Sequence, residues 1–240
     1  MGAREQWLEL EQPTPPEASL VDPNLALTHD SGNRRKHESR NPIQRALIAR
    51  FHRAVVEAVH RVAPATILDV GCGEGYVLSA LREHGCTAAL HGIDMNPGAI
   101  AYARTRLSEG ANLQLGDARR LVEEKRNFDL VMMLEVLEHL DEPASVMPML
   151  QRLGRKAVLL SVPNEPYFRG LNFLRGKNLK SWGNDPEHVQ NWTRRGFLRF
   201  VRQHFDIVWA PGVFPWTMVL ATVKVRPVEN PPEIPPAANS

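Results

Sequence analysis

From residue 43 onward the chain alternates two hydrophobic rhythms, apolar positions spaced three and four apart and short unbroken apolar runs, which predict helices and buried strands in turn. Leu47, Ile48, Phe51, Val55, Ala58, Val59 and Val62 recur at helical spacing behind Asn41, a capping residue, and Pro42, suited to a first helical position. A helix is therefore predicted over 43–62. Apolar runs at 67–70, 88–93, 112–115, 128–133, 156–161, 206–209 and 218–225 read as strands. Helical patterns at 77–84, 97–108, 119–124, 143–153 and 193–204 separate them, and Pro148 predicts an irregular first half for the fourth of these. Such alternation predicts an α/β fold, a doubly wound, mostly parallel sheet with helices on both faces. Residues 1–40 are polar and charged without a sustained apolar period and read as a flexible or lid-like segment, residues 41–225 as one domain, and 226–240 as a disordered proline-rich tail.

Composition narrows the class. A chain of 240 residues that is 43% hydrophobic and 23% charged is long enough for a sizeable core and typical of a globular protein. A formal net charge of +2 gives no whole-molecule argument for nucleic acid, so such a claim would need a local basic patch. Cys72 and Cys86 offer no disulfide framework and suit a reducing compartment. No apolar run reaches membrane-spanning length and the amino terminus lacks a signal-peptide core, so the expected location is cytoplasmic.

Chemistry concentrates in I-L-D-V-G-C-G-E-G, residues 67–75, an apolar strand that reaches Asp69 and then a turn with Gly71, Gly73 and Gly75. Glycines there let backbone approach a ligand, and the helix that follows places its amino end beside it. A dinucleotide fingerprint would need its third glycine at 76, where the chain has Tyr76, which argues against a pyrophosphate cofactor and a nicotinamide oxidoreductase. About twenty residues on, the second apolar run ends in Asp94, placed to accept hydrogen bonds from ribose hydroxyls. The third run enters Gly116-Asp117-Ala118, and the fourth is followed by L-E-V-L-E-H-L. The bland role for Asp94 and Asp117 is a turn or helix-cap carboxylate.

Taken in register, these four segments resemble the class I S-adenosylmethionine-dependent methyltransferases over roughly 41–225, most strongly over 67–140. The resemblance implies a seven-stranded sheet with an antiparallel seventh strand inserted between the fifth and sixth. It implies S-adenosylmethionine as cofactor, held by Asp69, Gly71, Gly73, Gly75, Asp94 at the ribose, Asp117 and Ala118 at the adenine, and Glu135 near the methionine part. A noncatalytic interaction module built on the same fold is the alternative from another class, disfavoured because the glycines, Asp94 and Asp117 are intact.

Glu135, Glu138 and His139 would share one face if the segment were helical, where two carboxylates and an imidazole suit a divalent cation or an acceptor hydroxyl. With His188 ahead of Trp192-Thr193-Arg194, this pattern resembles metal-dependent small-RNA 3′-terminal 2′-O-methyltransferases, and that resemblance implies Glu135, Glu138, His139 and His188 as ligands of Mg or Mn. The same L-E-H segment also resembles ubiquinone-pathway O-methyltransferases, in which the histidine need not bind metal. Residues 163–195, rich in aromatic and basic side chains, read as an acceptor-side insertion that resembles bacterial methyltransferases acting on glycans, lipid-linked precursors or secondary metabolites. The combined expectation is O-methylation of a small-molecule, glycan or lipid-linked acceptor, with His139 as first and His188 as second choice of base. RNA is the less favoured acceptor, and the oligomeric state is left open.

Overall fold

The computed structural model describes residues 22, 24–107, 110–164 and 190–223. Its centre is one sheet of β1 (Thr66–Val70), β2 (Ala89–Asp94), β3 (Asn112–Leu115), β4 (Phe128–Leu134), β5 (Gly154–Pro163), β6 (Phe205–Trp209), β7 (Gly212–Val213) and β8 (Trp216–Val223). The spatial order is β3-β2-β1-β4-β5-β8-β6, with β7 paired to β8. The first five of that order are parallel neighbours, while β8 runs antiparallel to both β5 and β6. The inserted antiparallel strand implied by the resemblance is therefore present, and the two-residue β7 adds a short hairpin arm to the seven expected strands.

Eight helices are described: α1 (Asn24–Thr28), α2 (Gly32–His37), α3 (Pro42–Val62), α4 (Tyr76–Glu83), α5 (Pro97–Leu107), α6 (Arg119–Glu123), α7 (Met147–Leu153) and α8 (Arg194–His204). The two-residue period of the strands divides the core. Ile67, Leu130, Met132, Leu159 and Leu220 face α3, α4 and α5, where they meet Phe51, Val55, Leu78 and Ile100. Leu68, Val131, Met133, Leu160 and Val219 face α6, α7 and α8, where they meet Leu121, Leu150, Phe197 and Val201. Fully burying one such Leu or Phe contributes roughly 1.5–3 kcal/mol, so packing rather than intrinsic propensity holds a helix as short as the seven-residue α7.

Local signals set the helix ends. Asn41 Oδ1 accepts from the backbone N–H of Ile43 at 2.9 Å, Pro42 opens α3, and Thr193 Oγ1 caps α8 through Gly196 N–H. The irregular first half expected for 143–153 is present. A 3₁₀ turn over Pro143–Val146 precedes α7, which starts at Met147 and leaves Pro148 in its first turn, where a missing N–H costs nothing.

Two parts of the chain differ from the sequence reading. Residues 24–40, for which no element is predicted, carry α1 and α2. Each is too short to persist alone; α1 packs against α5, and the start of α2 is tied to Glu74 in the glycine turn described below. Residues 135–139 are also not one α-helix. Glu135 takes a left-handed φ of 58° immediately after β4, its N–H bonds Ser161 carbonyl at 3.1 Å, and only Leu137–His139 form a 3₁₀ turn. The continued pairing with β5 pulls Glu135 away from helical geometry. The proline-rich tail 226–240 and most of the insertion, residues 165–189, lie outside the described residues.

Candidate functional site

Reversal of the connection order on either side of β1 leaves a crevice at the carboxyl ends of β1 and β4, the place where open α/β sheets bind ligands. The turn after β1 lies at that crevice and has to be glycine. At Gly71 φ is +73°, and a Cβ would stand 2.5 Å from Val136 Cγ2; at Gly73 φ is +52°, and a Cβ would reach the Asn33 side chain at 3.4 Å. Gly75 then caps α4.

Asp94 is wired to this turn. Its Oδ2 accepts from Gly73 N–H and its Oδ1 from Asn96 N–H, both at 2.8 Å. An ionised carboxylate offers about four acceptor positions, so half of them remain for ligand hydroxyls. Gly116 N–H donates to the Asp94 carbonyl at 2.9 Å, which brings the end of β3, with half-buried Asp117 and buried Ala118, alongside. The Asp117 carboxylate is engaged by Arg119, through its backbone N–H at 2.9 Å and its guanidinium, and that pairing holds Asp117 below the usual carboxylate range.

Beside the turn lies a cavity whose lining includes Asp69, Glu135, Lys36, His37, Phe51 and Trp216. Asp69 is 2% exposed, and burial, reinforced by the Asp94 charge, pushes its carboxyl up to about 8. Burial also raises Glu135, opposed by the Lys36 charge and a 2.9 Å hydrogen bond from Ser161 Oγ. Glu138, 1% exposed, is raised by burial and by the Glu135 charge, and its Oε2 has no hydrogen-bond partner among the described residues. Two aromatic planes and a cation complete the wall. The Lys36 ammonium stands 4.9 Å from the Trp216 ring centre, and His37 stacks on Tyr76 at 4.1 Å with 10° between planes. Burial drives His37 down to about 2 and His52, stacked behind it, to about 4, so both imidazoles are neutral at physiological pH.

This donor set fits S-adenosylmethionine. Carboxylates whose ionisation is suppressed by burial surround a space reached by one lysine, and a ligand carrying a sulfonium and an ammonium restores their charge balance. The fit to a metal ion is different. Glu135 and Glu138 are electrostatic neighbours, but His139 is exposed and absent from the cavity wall, and His188 lies outside the described residues. Among the described residues no group of three or more His, Cys, Asp or Glu is placed to hold a metal. No helix among them is long and apolar enough to cross a membrane.

Of the residues expected from sequence, the structure brings Asp69 and Glu135 into one cavity and bonds Asp94 to Gly73 directly. The sequence reading missed Asn33, Lys36, His37, Trp216 and Glu74. Ser31, a helix cap ahead of 32–37, was the available signal for α2. Trp216 carried none, because its place in the cavity depends on β8 starting at the carboxyl end of β5, where it pairs with Pro163.

Residues 67–156 match the family described as "Methyltransferase domain". A ubiquinone biosynthesis O-methyltransferase of Pseudomonas paraeruginosa is 33% identical over 151 residues, an alignment that covers 52% of this chain and 64% of that protein's length. Another, of Coxiella burnetii, is 26% identical over 174 residues and covers 68% of this chain and 69% of that one. Among solved structures, the methyltransferase domain of bacterial CtHen1-C shares 22% identity at a TM-score of 0.58, covering 75% of this chain and 100% of that chain. Magnesium protoporphyrin IX methyltransferase from Synechocystis PCC 6803, solved with bound SAH, shares 18% identity at a TM-score of 0.59 over 80% and 92%. At these identities the structural likenesses establish the fold.

Proposed function

Residues 67–156 of this chain are a class I S-adenosylmethionine-dependent methyltransferase domain, and from that premise we propose that the protein methylates a hydroxyl oxygen of a small-molecule, glycan or lipid-linked acceptor. One observation carries the reading: Asp69 and Glu135, both with raised proton affinity, line a single cavity at the carboxyl ends of β1 and β4. S-adenosylmethionine, when bound, supplies an activated methyl carbon. The protein's part is then alignment and removal of one proton.

Asp69 and the glycine turn hold the cofactor, Asp94 its ribose, and Asp117 with Ala118 its adenine. Glu135 takes the acceptor's proton as the new oxygen–carbon bond forms. A carboxylate raised toward neutrality by burial is suited to that transfer, and its left-handed backbone together with the Ser161 bond fixes where the oxygen atoms lie. His139 is within electrostatic reach of Glu135 from the exposed side. Oxygen is preferred over nitrogen as acceptor because a carboxylate in this setting accepts a hydroxyl proton, and the curated relatives named above are O-methyltransferases.

The test is a transfer assay with labelled methyl donor against fractionated extracts, repeated with Glu135→Gln. Label that enters an alkali-stable ether, and is lost in the variant while cofactor still binds, supports the reading. Label found on nitrogen, or transfer undiminished in Glu135→Gln, overturns it.

A further inference from the structure

Glu74 sits between Gly73 and Gly75, is 2% exposed, and is not part of the cavity wall. Burial alone would push its pKa up, yet hydrogen bonds from Ser31, His29 and Asn33 more than offset that and leave it below the ordinary carboxylate range. All three donors come from five consecutive residues ahead of and within α2. His29 Nε2 meets Oε1 at 2.8 Å, Ser31 Oγ donates to the same oxygen, and Asn33 Nδ2 donates to Oε2. Ser31 Oγ simultaneously accepts from Arg34 N–H at 2.9 Å, so the residue that starts α2 is also the one tied to Glu74.

An independent feature accommodates the same contact. A Cβ at Gly98, the second residue of α5, would lie 2.6 Å from His29 Nδ1, so only glycine there lets the imidazole seat against α5 and reach Glu74. A second fastening closes the far end of the segment. Glu38 Oε1 accepts from Tyr102 Oη at 2.6 Å and Tyr76 Oη at 3.2 Å, and Arg34 Nε reaches the same carboxylate. Between the two fastenings stand Lys36 and His37, which with Asn33 form one wall of the cavity.

We propose that Glu74 is a positioning residue that holds residues 29–38 shut over the cofactor, so that the cofactor leaves only when the His29, Ser31 and Asn33 bonds to Glu74 break. This rests on the cavity being the cofactor site. Glu74 touches none of the cavity, and its influence on the ligand passes entirely through the wall residues it anchors. A buried carboxylate stripped of these donors is costly, so the anchor favours one closed arrangement rather than a loose coat.

Dissociation of S-adenosylhomocysteine, followed by stopped-flow through tryptophan fluorescence, to which Trp216 in the cavity wall contributes, provides the test, with hydrogen exchange of residues 29–38 in parallel. Glu74→Gln is expected to speed dissociation at least tenfold and to accelerate exchange in 29–38 while leaving exchange in α3 unchanged. The variant His29→Ala removes a donor on the segment side of the contact, at a residue outside the cavity wall. It is expected to do the same, and it answers the question should Glu74→Gln fail to fold. Dissociation at the wild-type rate in a folded variant refutes the anchor. Absence of S-adenosylhomocysteine binding by the wild-type protein refutes the cofactor site itself, a separate result.

Discussion

Cofactor affinity is expected to rise steeply with pH below neutrality, because the apo cavity holds Asp69 in its neutral form. Burial and the neighbouring Asp94 charge push this carboxyl up to about 8, against an ordinary value near 3.9. The sign follows from which form each state prefers. The empty protein keeps the proton through the neutral range, whereas a bound sulfonium and ammonium favour the ionised carboxylate, so binding releases a proton. With an apo pKa of about 8 and an ionised complex, affinity gains about tenfold per pH unit, or about 1.4 kcal/mol, from pH 6 to pH 7. Stability of the empty protein runs the other way. A raised carboxyl exerts no penalty below about pH 4, and the penalty grows as pH climbs toward the folded value near 8. Calorimetric titration with S-adenosylmethionine between pH 6 and 7.5, in two buffers of different ionisation enthalpy, reads both the slope and the proton released. Asp69→Asn should flatten the slope, while Glu135→Gln removes only the share of the second raised carboxyl. An affinity independent of pH over this range, or a slope that survives in Asp69→Asn, would refute the reasoning.

Gly71→Ala should destabilise the protein by about 2–4 kcal/mol in urea titration, from a left-handed φ of +73° plus a Cβ 2.5 Å from Val136 Cγ2; a loss below about 0.5 kcal/mol would contradict that geometry. Asp94→Ala removes charge-assisted bonds to Gly73 and Asn96, each on the order of 1.5–3 kcal/mol, and should weaken S-adenosylmethionine at least tenfold; affinity within twofold of wild type would remove Asp94 from the site. Exhaustive chelation should leave methyl transfer intact, because the 3₁₀ turn buries Glu138 and leaves His139 exposed instead of presenting them on one face with Glu135. Loss of activity restored by Mn or Mg and mimicked by His188→Ala would instead make Glu135, Glu138, His139 and His188 a ligand set.

By itself the sequence determined the element order and most element limits, because periodicity and capping are local. Asn41 and Pro42 mark the start of α3, Asn112–Leu115 is read to the residue, and the glycine turn with Asp94 about twenty residues on identifies the crevice from local pattern alone. Tertiary structure decided what faces that crevice. Residues 24–40 show no apolar period, and their helices are held by Glu74, Tyr76 and Tyr102 from outside the segment, the two tyrosines through Glu38. Glu135, Glu138 and His139 fit one helical face on paper, yet pairing of Glu135 with Ser161 on β5 takes precedence, leaving Glu138 buried and His139 exposed. The raised proton affinity of Asp69 and the arrival of Trp216 at the cavity share that origin. Both depend on chain segments brought together from far apart in sequence, where burial and neighbouring charge, rather than residue type, determine what each side chain can do.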